Sequence, residues 1–323
     1  MKIKRSVVLF IIVLLLTACN FFSRPQLQRP PLKFAYSAWP GFFPIAIAQE
    51  KGFFTAQGVK VETFVRENSE GLLADFGAGK FDGIFSSLGE IIPISATNNS
   101  PVRLILMTAE SAGADAIVAQ PQIKAIADLK GKTIGVGLGS FGELFVTRML
   151  EQNGINTDQV TFVNASGEQI PDRLKSNTIQ AGHSWEPYVS QVVKTGAQIL
   201  FTSKQTPGLM PDVMTFQRKV LRDRPADVQA FVRAWFQAVE YWQTHSQEGN
   251  AIIEKVLKIP PETISLEGVK FLTLSDNRRA FTPGNKTDSL SYTAQVYGNF
   301  FVRTGNLTRP PDIDQLLDPS FIK

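Results

Sequence analysis

Three glycines in the middle of the chain, Gly137, Gly139 and Gly142, have a spacing that could serve to bind an anion. The apolar run before them predicts a buried strand, and the amphipathic segment after them predicts a helix. The first backbone N–H groups of such a helix lack partners within it and attract anions. Ser140 and Glu143 also fit a capping box, in which their side chains satisfy N–H groups of the same helix end. Capping and ligand binding are therefore both open for Ser140.

The same glycines spell G-x-G-x-x-G, a fingerprint of dinucleotide-binding folds. In those folds an acidic residue at the end of the next strand, about 20 residues further on, holds the ribose. Here the strand predicted over 160–164 ends with Asn164, and no carboxylate stands there. We therefore expect no nucleotide cofactor, and we assign Gly139, Ser140 and Phe141 to contact with a small ligand.

Further candidate ligand contacts follow other predicted strands. Ser86 and Ser87 end one strand and begin a helix, where a plain N-cap is the alternative to ligand binding. Ser37 and Trp39 follow the first strand, next to a Pro-Gly turn. Ligands of open α/β sheets bind beyond the carboxyl ends of the strands. We therefore expect these four side chains to face a cleft.

Trp185 and Glu186 end another predicted strand, and Asp115 precedes one. Tryptophan rings on opposite walls of a cleft suit an organic ligand better than a bare inorganic anion. A carboxylate that faces inward needs a partner, such as a ligand amine or the N–H groups of a heterocycle. The alternatives are a helix-end charge for Glu186 and a solvated turn residue for Asp115. We predict all three as ligand contacts, and leave His183 open between packing and binding.

The residue types do not suggest a catalytic or metal centre. His183 and His245 are the only histidines, and Cys19 is the only cysteine. A metal cluster or a Cys–His pair is therefore not expected. No G-x-S-x-G nucleophile elbow is present either. We predict a binding protein and no enzyme, with no catalytic residues, no cofactor and no metal.

Strands and helices alternate from about residue 33 onward, which predicts an open α/β fold. The 323 residues, 43% of them hydrophobic, are sufficient for two domains. We predict one lobe made of residues 33–117 plus 213–323, with a second lobe, residues 120–210, inserted between its halves. Each lobe is expected to be an open doubly wound sheet. Prolines near both predicted crossings fit a change of chain direction.

The N-terminus has the features of an export signal. Three basic residues precede an apolar run that ends at Leu16, and this run is about half of the roughly 20 residues that a membrane-spanning helix needs. The following Leu-Thr-Ala-Cys resembles the lipobox of bacterial lipoproteins, in which the cysteine is lipidated and becomes the mature N-terminus. We predict a signal peptide over 1–18 and a lipid anchor at Cys19.

Residues 19–32 are rich in proline and glutamine and predict a tether between the lipid anchor and the folded part. Removal of the signal peptide would remove three of the basic residues, so that the net charge falls from +4 to +1. So small a charge does not favour a nucleic-acid partner. We predict an exported, monomeric protein that is attached to a membrane through its lipid.

Four motifs in order resemble a known family. They are YSAWPG with the nearby IAIAQEKGFF, then GKFDGIFSS, DLKGKTIGVGLGSFGE and WEPY. Together they look like the periplasmic substrate-binding proteins of ABC importers for nitrate, sulfonates and taurine, over essentially the whole mature chain. The resemblance implies a two-lobed type II periplasmic binding protein fold, called a Venus flytrap. It also implies capture of a small organic anion or zwitterion, similar to a sulfonate or taurine, for delivery to an ABC permease and its ATPase.

Other ligands and functions stay open. A pyrimidine-type heterocycle, similar to a thiamine precursor, would suit the aromatic residues and Asp115, whereas nitrate or bicarbonate would leave the tryptophans without a role. The pyrimidine synthases of thiamine biosynthesis share the related fold, but their cysteine-rich motif is absent from this sequence. A sensory module that signals through a partner is a further alternative.

Overall fold

The computed structural model describes residues 29–66, 69–96, 102–261 and 264–322. The predicted signal peptide, Cys19 and most of the predicted tether lie outside the described residues. The chain divides between Pro31 and Leu32 into two units, and every element below belongs to the second. Among the described residues, no helix combines the length and the apolar character that crossing a membrane requires.

Strands and helices alternate along most of the described chain. The strands are β1 (Leu32–Ser37), β2 (Val61–Arg66), β3 (Gly83–Ser87), β4 (Val102–Ser111), β5 (Asp115–Ala119), β6 (Thr133–Val136), β7 (Thr161–Asn164), β8 (Ala181–Trp185), β9 (Gln198–Thr202), β10 (Pro211–Gln217) and β11 (Val269–Phe271). The helices are α1 (Pro44–Glu50), α2 (Phe53–Ala56), α3 (Ser69–Gly77), α4 (Leu88–Ser95), α5 (Phe141–Gln152), α6 (Ile170–Lys175), α7 (Tyr188–Val193), α8 (Arg218–Asp223), α9 (Pro225–Thr244), α10 (Ser246–Leu257), α11 (Leu274–Ala280), α12 (Leu290–Arg303) and α13 (Ile313–Leu316).

The strands form two mixed sheets. The first has the order β11-β4-β10-β3-β1-β2, and the second has the order β7-β6-β8-β5-β9. In the first sheet β1 is parallel to β2 and β3, whereas β10 is antiparallel to β3 and β4. In the second sheet β6 is parallel to β7 and β8, and β5 is antiparallel to β8 and β9. The chain passes to the second sheet between β4 and β5, and returns between β9 and β10.

One face of the first sheet is covered by the 20-residue helix α9. Pro225 begins this helix, where its fixed φ and missing N–H cost nothing. The Phe231 ring lies 4.5 Å from that of Phe34, and Trp235 lies 4.5 Å from Phe85. Trp235 and Trp242 of this helix are both buried in the core.

The two sheets share a second buried layer. Side chains of α4, α5 and α12, among them Ile91, Phe145 and Tyr297, belong to one hydrophobic cluster. The predicted alternation of strands and helices is confirmed, but the sequence patterns did not predict β11 or the short helices α2, α8, α11 and α13. Three residues are too few for a strand to show its period, and α11 is a short helix with few apolar residues.

Candidate functional site

A cleft lies between the two sheets, at the carboxyl ends of β1 and β3 and beside both chain crossings. Its open space, together with the part that is continuous with solvent, is about 650 Å³. Its walls combine aromatic, hydroxyl and carboxylate side chains: Ser37, Ala38, Trp39, Phe42, Ser87, Glu90, Ser111, Asp115, Phe141, Glu168, Trp185, Tyr188, Met210 and Asp212. Six of the predicted contacts lie here, namely Ser37, Trp39, Ser87, Asp115, Phe141 and Trp185.

On the wall formed by the first sheet, Trp39 is fixed by Asp212. The indole Nε1–H donates to Asp212 Oδ2 over 2.7 Å, and both side chains are buried. Gly41 leaves room for this bond, because a methyl group there would lie 2.5 Å from Nε1 and 2.7 Å from Oδ2. The Pro-Gly turn after β1 therefore positions the tryptophan as well as ending the strand.

Asp212 has an electrostatic environment that disfavours its charged form. Burial raises the pKa of its carboxyl well above the ordinary value, although the hydrogen bond from Trp39 acts in the opposite direction. The nearby carboxylates of Asp115 and Glu90 raise this pKa further. A positively charged partner in the cleft would offset these effects.

On the other wall, Asp115 is fixed by His183. Its Oδ1 lies 2.9 Å from His183 Nε2, and its backbone N–H donates to Ser111 Oγ over 3.0 Å. His183 is 2% exposed and lies behind Asp115, outside the cleft lining. A side chain at Gly142 would overlap the imidazole. His183 therefore supports Asp115 by packing and hydrogen bonding.

Aromatic rings line both walls. Trp185 lies 6.1 Å from Phe141 and 6.5 Å from Tyr188, measured between ring centroids. Gly167 permits this position, because a side chain there would overlap the Trp185 ring. Trp39 lies on the first-sheet wall. The cleft therefore offers apolar ring faces from both sheets.

The glycine-rich helix end is occupied by its own side chains. Ser140 Oγ accepts the Gly142 N–H over 3.1 Å and donates to the Gly137 carbonyl over 2.6 Å. Glu143 Oε2 accepts the Gly139 N–H over 2.6 Å. Gly139 and Ser140 lie outside the cleft lining. Ser140 thus caps α5, and ligand contact through these two residues stays a prediction.

Of three further predicted contacts, Ser87 lies in the cleft lining, whereas Ser86 and Glu186 lie outside it. Ser87 lines the cleft and also caps α4, in a capping box with Glu90. Ser86 is 2% exposed and lies outside the lining, and no described residue forms a hydrogen bond with its Oγ. Glu186 also lies outside the lining, where it accepts the N–H and the hydroxyl of Ser190. Ligand binding by Ser86 or Glu186 stays a prediction.

The cleft lining is acidic. Among the residues that the structure describes, it holds four carboxylates, those of Glu90, Asp115, Glu168 and Asp212, and neither lysine nor arginine. The sequence patterns did not predict Glu90, Glu168 and Asp212 as residues of the cleft. They also did not predict Phe42, Ser111, Tyr188 and Met210. No local pattern marked Asp212, which follows a proline at the second crossing. Within the described ranges, no group of three or more His, Cys, Asp or Glu residues is placed to hold a metal ion.

Two mixed sheets, joined by two crossings with a cleft between them, define the periplasmic binding protein fold. The alkanesulfonate-binding protein SsuA of Xanthomonas axonopodis pv. citri, solved bound to MOPS, has this fold. It superposes with a TM-score of 0.73 and 14% identity, over 90% of this chain and 98% of its own. The fold that the four motifs implied is therefore confirmed.

The chain belongs to the NMT1/THI5-like family, whose model matches residues 39–249. A Brucella abortus protein, named only as a binding protein, is 25% identical over 295 residues, which cover 87% of this chain and 88% of that protein. A Haemophilus influenzae protein named for thiamine biosynthesis is 24% identical over 215 residues, which cover 65% of this chain and 67% of that protein.

Proposed function

We propose that the protein is the solute-binding component of an ABC importer, and that its ligand is a small organic molecule with N–H donors or a positive charge. One observation carries this proposal. Two buried carboxylates, Asp115 and Asp212, face a cleft that is lined by aromatic rings and, within the described part of the chain, by no basic side chain. An aminopyrimidine-type heterocycle has both the flat ring and the N–H groups that such a cleft would bind.

Each of the two carboxylates has an oxygen available for a ligand. The chain uses Asp115 Oδ1 and Asp212 Oδ2 for hydrogen bonds to His183 and Trp39. Among the described residues, none donates a hydrogen bond to Asp115 Oδ2 or to Asp212 Oδ1. These two oxygens are open acceptors, so a ligand in the cleft needs donors to pair with them. Amine or ring N–H groups would supply them.

A purely anionic ligand fits this cleft less well than the sequence suggested. Two unit charges 4 Å apart interact by about 4 kcal/mol at an effective dielectric constant of about 20. This energy is repulsive for a sulfonate or nitrate beside a carboxylate and attractive for a cation. Moreover, the N–H groups of Gly139 and Gly142 already have partners. A taurine-like zwitterion is the second candidate, because its amine could bind a carboxylate, and because the fold is shared with an alkanesulfonate-binding protein.

The arrangement of the cleft hydroxyl groups favours binding over catalysis. Ser111 is the cleft hydroxyl next to the Asp115–His183 pair, but its Oγ accepts the Asp115 N–H and pairs with Ser203 Oγ over 2.8 Å. It is thus held by structural bonds.

We propose that the segments 33–117 plus 213–323 form one lobe and that 120–210 forms the other, and that the two lobes move about the crossings. We also propose that a lipid at Cys19 holds the monomer at the outer side of a membrane.

Thermal shift and calorimetric titration with 4-aminopyrimidine, taurine, MOPS and nitrate would test the proposal. A ligand at 100 times its Kd raises the free energy of unfolding by about 2.7 kcal/mol. We expect 4-aminopyrimidine to stabilise the protein, and nitrate and MOPS to leave it unchanged. Stabilisation by nitrate or MOPS alone would overturn the assignment, and stabilisation by taurine alone would select the second candidate.

A further inference from the structure

A glycine lies where a helix beside the first sheet meets a helix beside the second. Gly89 lies in the first turn of α4, beside the first sheet, and Phe141 begins α5, beside the second. A methyl group added at Gly89 would lie 2.6 Å from Phe141 Cβ and 3.3 Å from its Cα. It would also lie 2.9 Å from Tyr297 Cε1. Atoms do not pack so closely, so any side chain at Gly89 would push α5 away.

The same end of α5 has a second contact with the segment that follows α12. Gly139 has a φ of +71°, and a methyl group there would lie 2.7 Å from Asn306 Oδ1. Further along the pair of helices, Arg303 lies 3.9 Å from Glu151. Helix α5 therefore packs against α4 near Gly89, and it also contacts Arg303 of α12 and Asn306 after it.

Phe141 connects this contact to the ligand site. It touches Gly89 through its Cα and Cβ, while its ring lines the cleft 6.1 Å from Trp185. The position of the ring relative to Trp39 and Asp212 on the opposite wall thus depends on how closely α5 approaches α4. A displacement of α5 would widen the cleft.

We propose that Gly89 sets how far the two sheets can close on a bound ligand, so that bulk at this position holds the cleft open. This inference rests on the proposed binding function. It makes Gly89 a positioning residue, which acts on the ligand only through Phe141. Residues in packed interiors cannot absorb a new side chain without displacement of their neighbours.

The test compares Gly89→Leu with Gly77→Leu, a matched substitution. Gly77 lies at the end of α3, and a methyl group there would have no heavy atom within 4 Å. Calorimetry would measure the affinity of each variant for whichever of the four test compounds wild type binds. Small-angle X-ray scattering would measure the radius of gyration with and without that compound. Circular dichroism would check that each variant is folded. We expect Gly89→Leu to lower affinity by about tenfold or more and to have a larger radius than wild type, both with and without ligand. Gly77→Leu should behave as wild type.

Gly89→Leu could instead disturb Tyr297, which lies on the same side of the contact. Asn306→Trp is therefore a second variant. Asn306 is exposed and lies against Gly139, so a tryptophan there would add bulk at the same end of α5 from the protein surface. The proposal is overturned if folded Gly89→Leu closes and binds as wild type, or if Gly89→Leu unfolds while Asn306→Trp binds as wild type. If wild type binds no panel ligand, the proposed function fails separately. Equal radii of unliganded wild type and Gly89→Leu would then still overturn the role of Gly89.

Discussion

Replacement of Asp212 by asparagine should stabilise the unliganded protein at neutral pH. The asparagine side chain would keep an oxygen that can accept the Trp39 N–H, so the hydrogen bond that positions the indole is retained. The substitution removes a carboxyl group whose pKa is raised mainly by burial and further by Asp115 and Glu90. It therefore removes the free-energy cost of ionising a buried acid while leaving the local geometry in place.

The direction of the pH dependence follows from proton binding. A carboxyl with a raised pKa binds more protons in the native state than in the unfolded state, where the aspartate pKa is about 3.9. The free energy of unfolding of wild type should therefore fall as pH rises from about 4, and should level off above the native pKa of Asp212. Each unit between the two pKa values corresponds to about 1.4 kcal/mol. D212N should not show this fall. At pH 7.5 its free energy of unfolding should exceed that of wild type by about 1.4 kcal/mol for each pH unit between the unfolded and native pKa values of Asp212.

Urea unfolding of the unliganded proteins at intervals from pH 4 to 8 would measure the difference. Asp223→Asn is the control, because hydrogen bonds from Arg222 and Lys219 lower the pKa of this exposed acid to about 2. Its contribution to stability is present above the unfolded pKa and is lost as pH falls, which is the opposite direction. If D212N were less stable than wild type at pH 7.5, or if the two proteins had parallel pH profiles, the reasoning about Asp212 would be wrong.

Three further outcomes are expected. Ser140→Ala should lower the free energy of unfolding in urea by about 1 kcal/mol, because the Gly142 N–H loses its cap. Unchanged stability would contradict the capping role, and a loss of calorimetric affinity for 4-aminopyrimidine would also assign Ser140 to the ligand. Trp185→Ala should weaken that binding by about tenfold through loss of a ring face, and unchanged affinity would remove Trp185 from the site. Cys19→Ser should move the protein from the membrane fraction to the soluble fraction of cells, and equal partition of both proteins would contradict lipid anchoring.

Much of the architecture could be predicted from local patterns. The apolar periods of β1 and α9, and the Pro-Gly turn at Gly41, depend on neighbours within a few positions. The same holds for the serine caps: Ser87 caps α4, in a box with Glu90, and Ser140 caps α5 through the N–H of Gly142. Short-range sterics and hydrogen bonds fix these features, so the sequence reveals them.

The character of the ligand site could not be predicted in this way. The glycine-rich turn suggested an anion, but only the folded structure shows that its N–H groups are taken by Ser140 and Glu143. Asp212 had no recognisable pattern around it, because its partner Trp39 is 173 positions away. Both sheets must fold before these side chains meet Asp115.

Local patterns in the chain were thus sufficient to predict the alternating elements, the family resemblance and six residues of the cleft. The folded structure was needed to show that Asp115 and Asp212 face one acidic cleft, that His183 supports it from behind, and that Gly89 meets Phe141 between the sheets. The physical reason is that burial and electrostatic coupling depend on distances in space between residues far apart in the chain. Local patterns do not contain those distances.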